Sequence, residues 1–343
     1  MEKKFLVGIL LLALATMSCQ RKPESMGSDT GVTIVADSTL YSTIQPAIEA
    51  ALQQEIYTPQ PEYLLKVSYL PPEELNKVVV RPNIVLAGIL GAEDKISKQI
   101  HTMLPASAIE QVERGESFVF RKEDPWAKKQ LLLVLVANDD ISLMEQIATN
   151  SDYLFDVIRD RIISQTKTEM YSQYEQKSIS DELLEKYGWA LRIQHDYNLW
   201  KDEADDQFVM LRRTSPERWL FVYWEDVSNP DSVNAEWAIS RRNKIGLLHY
   251  ERDQIAEQYL SIKETDFAGR RATQLQGLWE NDVKVAGGPF KAFAFYDEDT
   301  QRGYLVDVSA FAPGQEKESL VRQLEIMART FYTAADEQRA NGS

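Results

Sequence analysis

Six consecutive aliphatic residues, Leu131-Leu132-Leu133-Val134-Leu135-Val136, constrain the architecture of this chain more than any other segment. A strand alternates its side chains between two faces, so a run with no polar residue of either parity has to be covered on both. That predicts a sheet with helices on each side. Val32-Thr33-Ile34-Val35 reads as an earlier β-branched strand, with further strands near Leu64–Tyr69 and Ile84–Ile89. Asp37 and Ser38 offer N-caps to a helix reaching about Gln54, with Leu40, Ile44, Ala47, Ile48, Ala51 and Leu52 on one face. Pro105 opens a helix that Gly115 closes. Phe118–Lys122 and Gln130–Ala137 read as a hairpin around Asp124-Pro125-Trp126, and a long helical stretch follows from Asp140 to Glu175.

These elements make a mixed α/β unit over residues 31–177. A second unit, 178–332, reads as α+β, with helices on a mostly antiparallel sheet. A short helix over Ser178–Tyr187 stops at Gly188, and strands are expected at Trp189–Ile193, Phe208–Arg213 and Leu220–Trp224. Asn234–Leu248 reads as helical, and Ala272–Trp279, Phe290–Tyr296 and Gly303–Phe311 as strands. A closing helix presents Leu320, Val321, Leu324, Met327, Ala328 and Phe331. Residues 333–343 are polar and are expected to form a flexible tail.

The start of the chain bears on compartment. Met1-Glu2-Lys3-Lys4 precedes an uncharged run from Phe5 to Ala15, too short to span a bilayer and the length of a secretory h-region. Ser18-Cys19 follows, in the position of a lipobox, which makes residues 1–18 a signal peptide and Cys19 the lipid-attachment site. Thr16 stands where lipoboxes usually carry Leu or Val, and Ala13-Leu14-Ala15 offers an ordinary signal-peptidase site. Cys19 is the single cysteine of 343 residues, so a lone exported thiol finds its explanation in acylation. Residues 19–30 then read as a lipidated tether. The expected location is the cell envelope, in the outer membrane facing the periplasm.

With a net charge of −15 and no basic stripe, nucleic-acid binding is not expected. The same balance argues against adhesion to anionic lipid and leaves the acyl anchor as the membrane contact. His101, His195 and His249 are isolated, so no metal is expected, and no phosphate loop, dinucleotide fingerprint or nucleophile elbow implies a cofactor or a covalent mechanism. Asp297-Glu298-Asp299 is no calcium loop, because Arg302 and Val308 stand where Gly and Glu are required. Three places could carry binding. Asp37 sits between a strand and a helix, where an N-cap is the plainer reading. Asp124, Trp126 and Gln130 share one turn, where a hairpin turn with a packed Trp is the plainer reading. Arg271 and Trp279, followed by Gly287-Gly288, form the third, where paired glycines admit either a tight loop or a close ligand.

Several segments together resemble an uncharacterised family of Bacteroidota lipoproteins, domain-of-unknown-function family 4837. They are the strand before Asp37, Asp124 to Gln130, Phe208-Val209-Met210-Leu211-Arg212-Arg213, Gly277-Leu278-Trp279, Gly287-Gly288-Pro289-Phe290, Ala312-Pro313-Gly314 and Arg322-Gln323-Leu324-Glu325. The resemblance extends over nearly the whole mature chain. It implies an envelope lipoprotein and brings no catalytic residue. Gln20-Arg21-Lys22 lacks the acidic residues of surface-exported lipoproteins of that phylum, which implies a periplasmic face. The second half also resembles the PsbP-like fold in its order of elements, and such domains mostly bind proteins. The expected function is non-enzymatic binding of an envelope protein or glycan. The alternative is a hydrolase of envelope polymers using Asp37 and Asp124, which would need those carboxyl groups about 5–9.5 Å apart.

Overall fold

A computed structural model describes residues 22–342 except 57 and 282. The segment expected to be a signal peptide, residues 1–18, and Cys19 lie outside the described residues. The aliphatic run is β7 (Leu131–Ala137), the most thoroughly buried strand of a five-stranded sheet ordered β4-β1-β5-β7-β6. Strands β1 (Gly31–Val35), β4 (Lys66–Leu70), β5 (Asn83–Ile89) and β7 are parallel, and β6 (Val119–Glu123) is an antiparallel edge. Alternate residues of β7 separate into two cores, as the absence of polar residues demands. Leu131, Leu133 and Leu135 pack with α1 (Ser38–Leu52), α5 (Asp140–Thr149) and α6 (Ser151–Met170). Leu132, Val134 and Val136 pack with α2 (Leu75–Val78), α3 (Lys95–Met103) and α4 (Ala106–Glu113). The six apolar residues read onto one face of α1 are its buried ones. A small ribbon, β2 (Glu55–Ile56) with β3 (Glu62–Tyr63), joins α1 to β4. The single helix expected from Asp140 to Glu175 is two, because Asn150 leaves helical geometry between α5 and α6.

The second unit begins with α7 (Lys177–Tyr187), stopped by Gly188 in the left-handed conformation that glycine adopts without a Cβ penalty. Of the strand expected at Trp189–Ile193 only β8 (Trp189–Ala190) forms. The main sheet runs β12-β14-β15-β16-β11-β10-β9, all antiparallel, with one further strand on β14. Its members are β9 (Asn198–Glu203), β10 (Phe208–Arg213), β11 (Glu217–Asp226), β12 (Gln254–Ile255), β13 (Ser261–Phe267), β14 (Arg270–Asn281), β15 (Ala286–Asp297) and β16 (Arg302–Phe311). Helix α8 (Ala235–His249) covers one face through Trp237, Ala238 and Ile245, and α9 (Glu318–Ala328) covers the other through Val321, Leu324 and Met327. The fold is therefore mixed α/β followed by α+β.

Both expected flexible ends are ordered in part. From Pro23 onward the tether is hydrogen-bonded to the first unit: Lys128 N donates to Pro23 O at 2.8 Å, Ser25 N to Lys128 O at 3.0 Å and Met26 N to Val80 O at 2.6 Å. The expected tail 333–343 instead forms a helix. Tyr332–Thr333 is β17, paired with β8, and Ala334–Asn341 is α10. Thr333 and Asp336 make a reciprocal capping box, which satisfies backbone donors that would otherwise fray the turn.

Candidate functional site

Alternation along β14 sends Arg270 inward and Arg271 outward. Arg270 forms the floor of a polar cleft of about 920 Å³ between the β13–β14 turn, the β15–β16 turn, α10 and residues 230–234. Its guanidinium donates to Asp297 Oδ2 at 2.7 Å, Asp336 Oδ2 at 2.5 Å and Ala268 O at 2.9 Å. Asp297 is 3% exposed and accepts from Thr300 N and Oγ1. Burial pushes Asp336 toward the neutral form, but Arg270, the Thr333 N–H and Arg339 outweigh it and hold the carboxyl well below the ordinary range. Arg271 lies on the rim, exposed, with Nε 3.0 Å from Glu264 Oε2. Asp231, Glu298 and Asp299 complete an acidic wall. Thr273 Oγ1 donates to Glu264 Oε1 at 3.2 Å, and the same carboxylate pairs with Arg271. The fixed charges of the cleft suit recognition of cationic or hydroxyl-rich groups.

The other expected site residues are mostly scaffold. Asp37 caps α1, accepting from Thr39 N at 2.9 Å. Asp124 adopts φ 51° and accepts from Gln130 N at 2.9 Å. Gln130 is fully buried and accepts from Trp126 N and Ala127 N while donating to Val79 O and Arg81 O. The turn is thus self-satisfied, and half-buried Trp126 packs against the core that holds Leu132, Val134 and Val136. Asp37 follows the carboxyl end of β1, whereas Asp124 bonds at the level of Gln130, before the amino end of β7. That separates them by roughly 20 Å along the sheet, so they cannot serve as a hydrolytic pair.

Trp279, Gly287 and Gly288 also change role. The glycines belong to β15 and not to a loop. A Cβ on Gly288 would overlap Ala310 O and lie 3.0 Å from Trp279 Nε1, so the residue is small to admit the indole. Trp279 is 4% exposed and does not form a surface patch. It closes a buried polar cluster with Arg242, Tyr250, Asp253 and Asp307, around a space of about 10 Å³, the size of one water. Arg242 Nε donates to Asp307 Oδ2 at 2.9 Å. Burial and the neighbouring Asp253 raise the Asp307 carboxyl against the opposing pull of Arg242. This cluster escaped the sequence reading, although an acid inside the apolar strand Tyr304-Leu305-Val306-Asp307-Val308 is a visible anomaly.

Among the described residues no three His, Cys, Asp or Glu side chains gather as a metal ion would require, and no described helix is long and apolar enough to cross a membrane. Residues 176–330 match the family described as Domain of unknown function (DUF4837). That match spans just under half of the chain. Residues 25–171 match a different family, Domain of unknown function (DUF8532), so the DUF4837 match stops short of the first half. Comparison with curated proteins gave no match. Among solved structures, a protein from Bacteroides thetaiotaomicron aligns at 9% identity over 43% of this chain and 45% of its own, with a TM-score of 0.28. The chain therefore spans less than half the length of that protein. LpqN of Mycobacterium tuberculosis, described as involved in cell envelope biogenesis, aligns at 13% identity over 42% of this chain and 81% of its own, with a TM-score of 0.29. The Saccharomyces cerevisiae Ran-binding protein Mog1p aligns at 11% identity over 43% of this chain and 90% of its own, also with a TM-score of 0.29.

Proposed function

We propose that the chain is a cell-envelope lipoprotein, anchored through Cys19 and facing the periplasm, whose DUF4837 domain binds an envelope protein or glycan without catalysis. The anchor reading is supported by the short apolar leader and the single cysteine that follows it. The binding reading is carried by one observation: the cleft floor is a guanidinium locked between two carboxylates, Asp297 and Asp336. Groups paired in this way are poor proton carriers but hold a fixed pattern of charge for a partner to match.

The test is crosslinking in intact envelopes, comparing the native chain with Arg271→Glu/Glu298→Lys, two exposed substitutions that spare the floor. One specific partner, lost in the folded variant, is the expected result. Turnover of purified envelope polymers by the native chain would overturn the reading.

A further inference from the structure

The chain enters the described fold at Lys22, whose Nζ donates to Asp124 O at 2.6 Å, and the following residues are tied to Lys128 and Lys129. Cys19 precedes Lys22 by three residues, a reach of at most about 11 Å. An acyl chain on Cys19 would therefore bring the β6–β7 turn to the bilayer, whatever path those residues take. That turn is basic. Residues 121–129 carry Arg121, Lys122, Lys128 and Lys129 against Glu123 and Asp124, in a chain whose net charge is −15. All four cations are exposed; Arg121 pairs with Glu123, Lys128 with Glu24, and Lys129 with Glu24 and Glu169, while neither Lys122 nor Lys22 has a carboxylate partner among the described residues.

Beside the turn a cleft of about 560 Å³ opens between β6 and α6. Arg161 lines it with only 8% of its surface exposed. Its Nε donates to Glu123 Oε2 at 2.7 Å, its Nη2 lies 3.7 Å from Asp124, and its buried Nη1 has no hydrogen-bond partner. A buried guanidinium with unused donor capacity is costly unless something completes it, and planar phosphate recognition is what guanidinium suits.

We propose that the β6–β7 turn and the Arg161 cleft form a membrane-apposed surface that receives the phosphate of anionic phospholipid headgroups. The choice of occupant rests on the lipoprotein reading above. Net charge alone argues against adhesion to such lipid, but the interaction is local. An anionic bilayer repels most of this acidic body and attracts it where cations cluster, within about a Debye length of roughly 10 Å. The anchor supplies attachment, and the basic turn decides which face lies down.

The test uses the chain from Gln20 onward, which keeps every described residue and lacks any acyl group, mixed with vesicles of phosphatidylglycerol and phosphatidylcholine or of phosphatidylcholine alone. Sedimentation with the anionic vesicles, weakening as salt rises, is expected. Lys122→Glu/Lys128→Glu should reduce it by about tenfold or more, since each surface cation contributes several-fold. Lys263→Glu, on the exposed strand β13 of the other unit, should leave it unchanged. Equal binding to neutral vesicles, or no effect of the double reversal, would overturn the surface. Ser164→Trp fills the cleft from an exposed position without removing a charge. If it leaves binding intact, the role given to Arg161 falls. Acylation of Cys19 is read separately, from the mass of the N-terminal peptide of the native chain. Binding without acylation removes the anchor and spares this surface, and acylation without binding does the reverse.

Discussion

The buried pair Arg242–Asp307 offers the sharpest physical test in the molecule. Asp307 is 1% exposed at the centre of the main sheet, Arg242 reaches it from α8 at 2.9 Å, and the Arg242 side chain is itself 6% exposed. At an effective dielectric constant near 20, two charges about 4 Å apart attract by about 4 kcal/mol, while each pays several kcal/mol of desolvation. The pair should then contribute little net stability, yet breaking it from one side should cost about 3–5 kcal/mol. Arg242→Met leaves Asp307 buried and alone, and Asp307→Leu leaves the guanidinium alone. The double variant removes both charges and should lie within about 2 kcal/mol of the native chain or above it. Urea unfolding with linear extrapolation measures each corner of the cycle. The pH dependence adds a second signature. The Asp307 carboxyl already lies above its ordinary 3.8, and losing Arg242 raises it further. A raised folded value means the native state holds the proton more tightly. Its contribution is complete below the unfolded value and is lost as pH rises through the folded one. Arg242→Met should therefore be closer to the native chain at pH 5 than at pH 8. Single variants costing under about 1 kcal/mol, or a coupling near zero, would show that the pair is not in a dry site.

Trp279→Ala should cost about 3–5 kcal/mol of stability, as a buried indole does, and Gly288→Ala about 1–3 kcal/mol through its clash with Ala310 O, both read by urea midpoints. Partner binding should follow only the folded fraction in each. Asp336→Asn should lower the thermal midpoint at neutral pH by releasing α10 from Arg270. Because the folded carboxyl lies below its ordinary 3.8, its contribution is present above that value and is lost as pH falls through the folded one, so the gap between variant and native chain should close below about pH 3–4.

Legibility in the sequence followed local periodicity. β7 and the apolar face of α1 could be read directly, because burial of alternate or of every third to fourth residue leaves a pattern in the chain itself. Helix α3 and strands β9 and β13 were missed. β9 and β13 lie at sheet edges with mostly exposed residues, and Lys95–Met103 buries only Ile96, Ser97 and Ile100, so none carries a strong apolar period. The polar tail misled for a related reason. Its order comes from Arg270, 66 residues earlier, and polar composition does not announce a partner so distant. Gly287-Gly288 suggested a loop, whereas the strand needs them because an indole and a carbonyl approach from both sides. Arg271 drew notice ahead of Arg270, although alternation along β14 allows only one of two neighbours to face the cleft floor.

The two units are also less separable than their distinct family matches imply. Helix α9 has no side-chain cap of its own, and the first turn of its backbone is satisfied from the other unit: Glu62 Oε2 accepts from Lys317 N at 2.7 Å and Glu318 N at 2.9 Å. A carboxylate at that position also meets the positive end of the helix dipole. Arg159 on α6 reaches Glu318 at 2.8 Å, and Arg322 joins Glu318, Thr166 and Asp29. Apart from Asp29, which is half exposed, these groups are buried, so parting the units would expose α9 without a cap and strand a cluster of charges, at a cost of the several kcal/mol that broken buried pairs carry. The junction between the two units is tied in the same way. Gln176 N donates to Ile193 O at 2.9 Å, and Glu175 holds Arg192 in two hydrogen bonds. The two matched segments are therefore joined by buried contacts rather than by a loose linker.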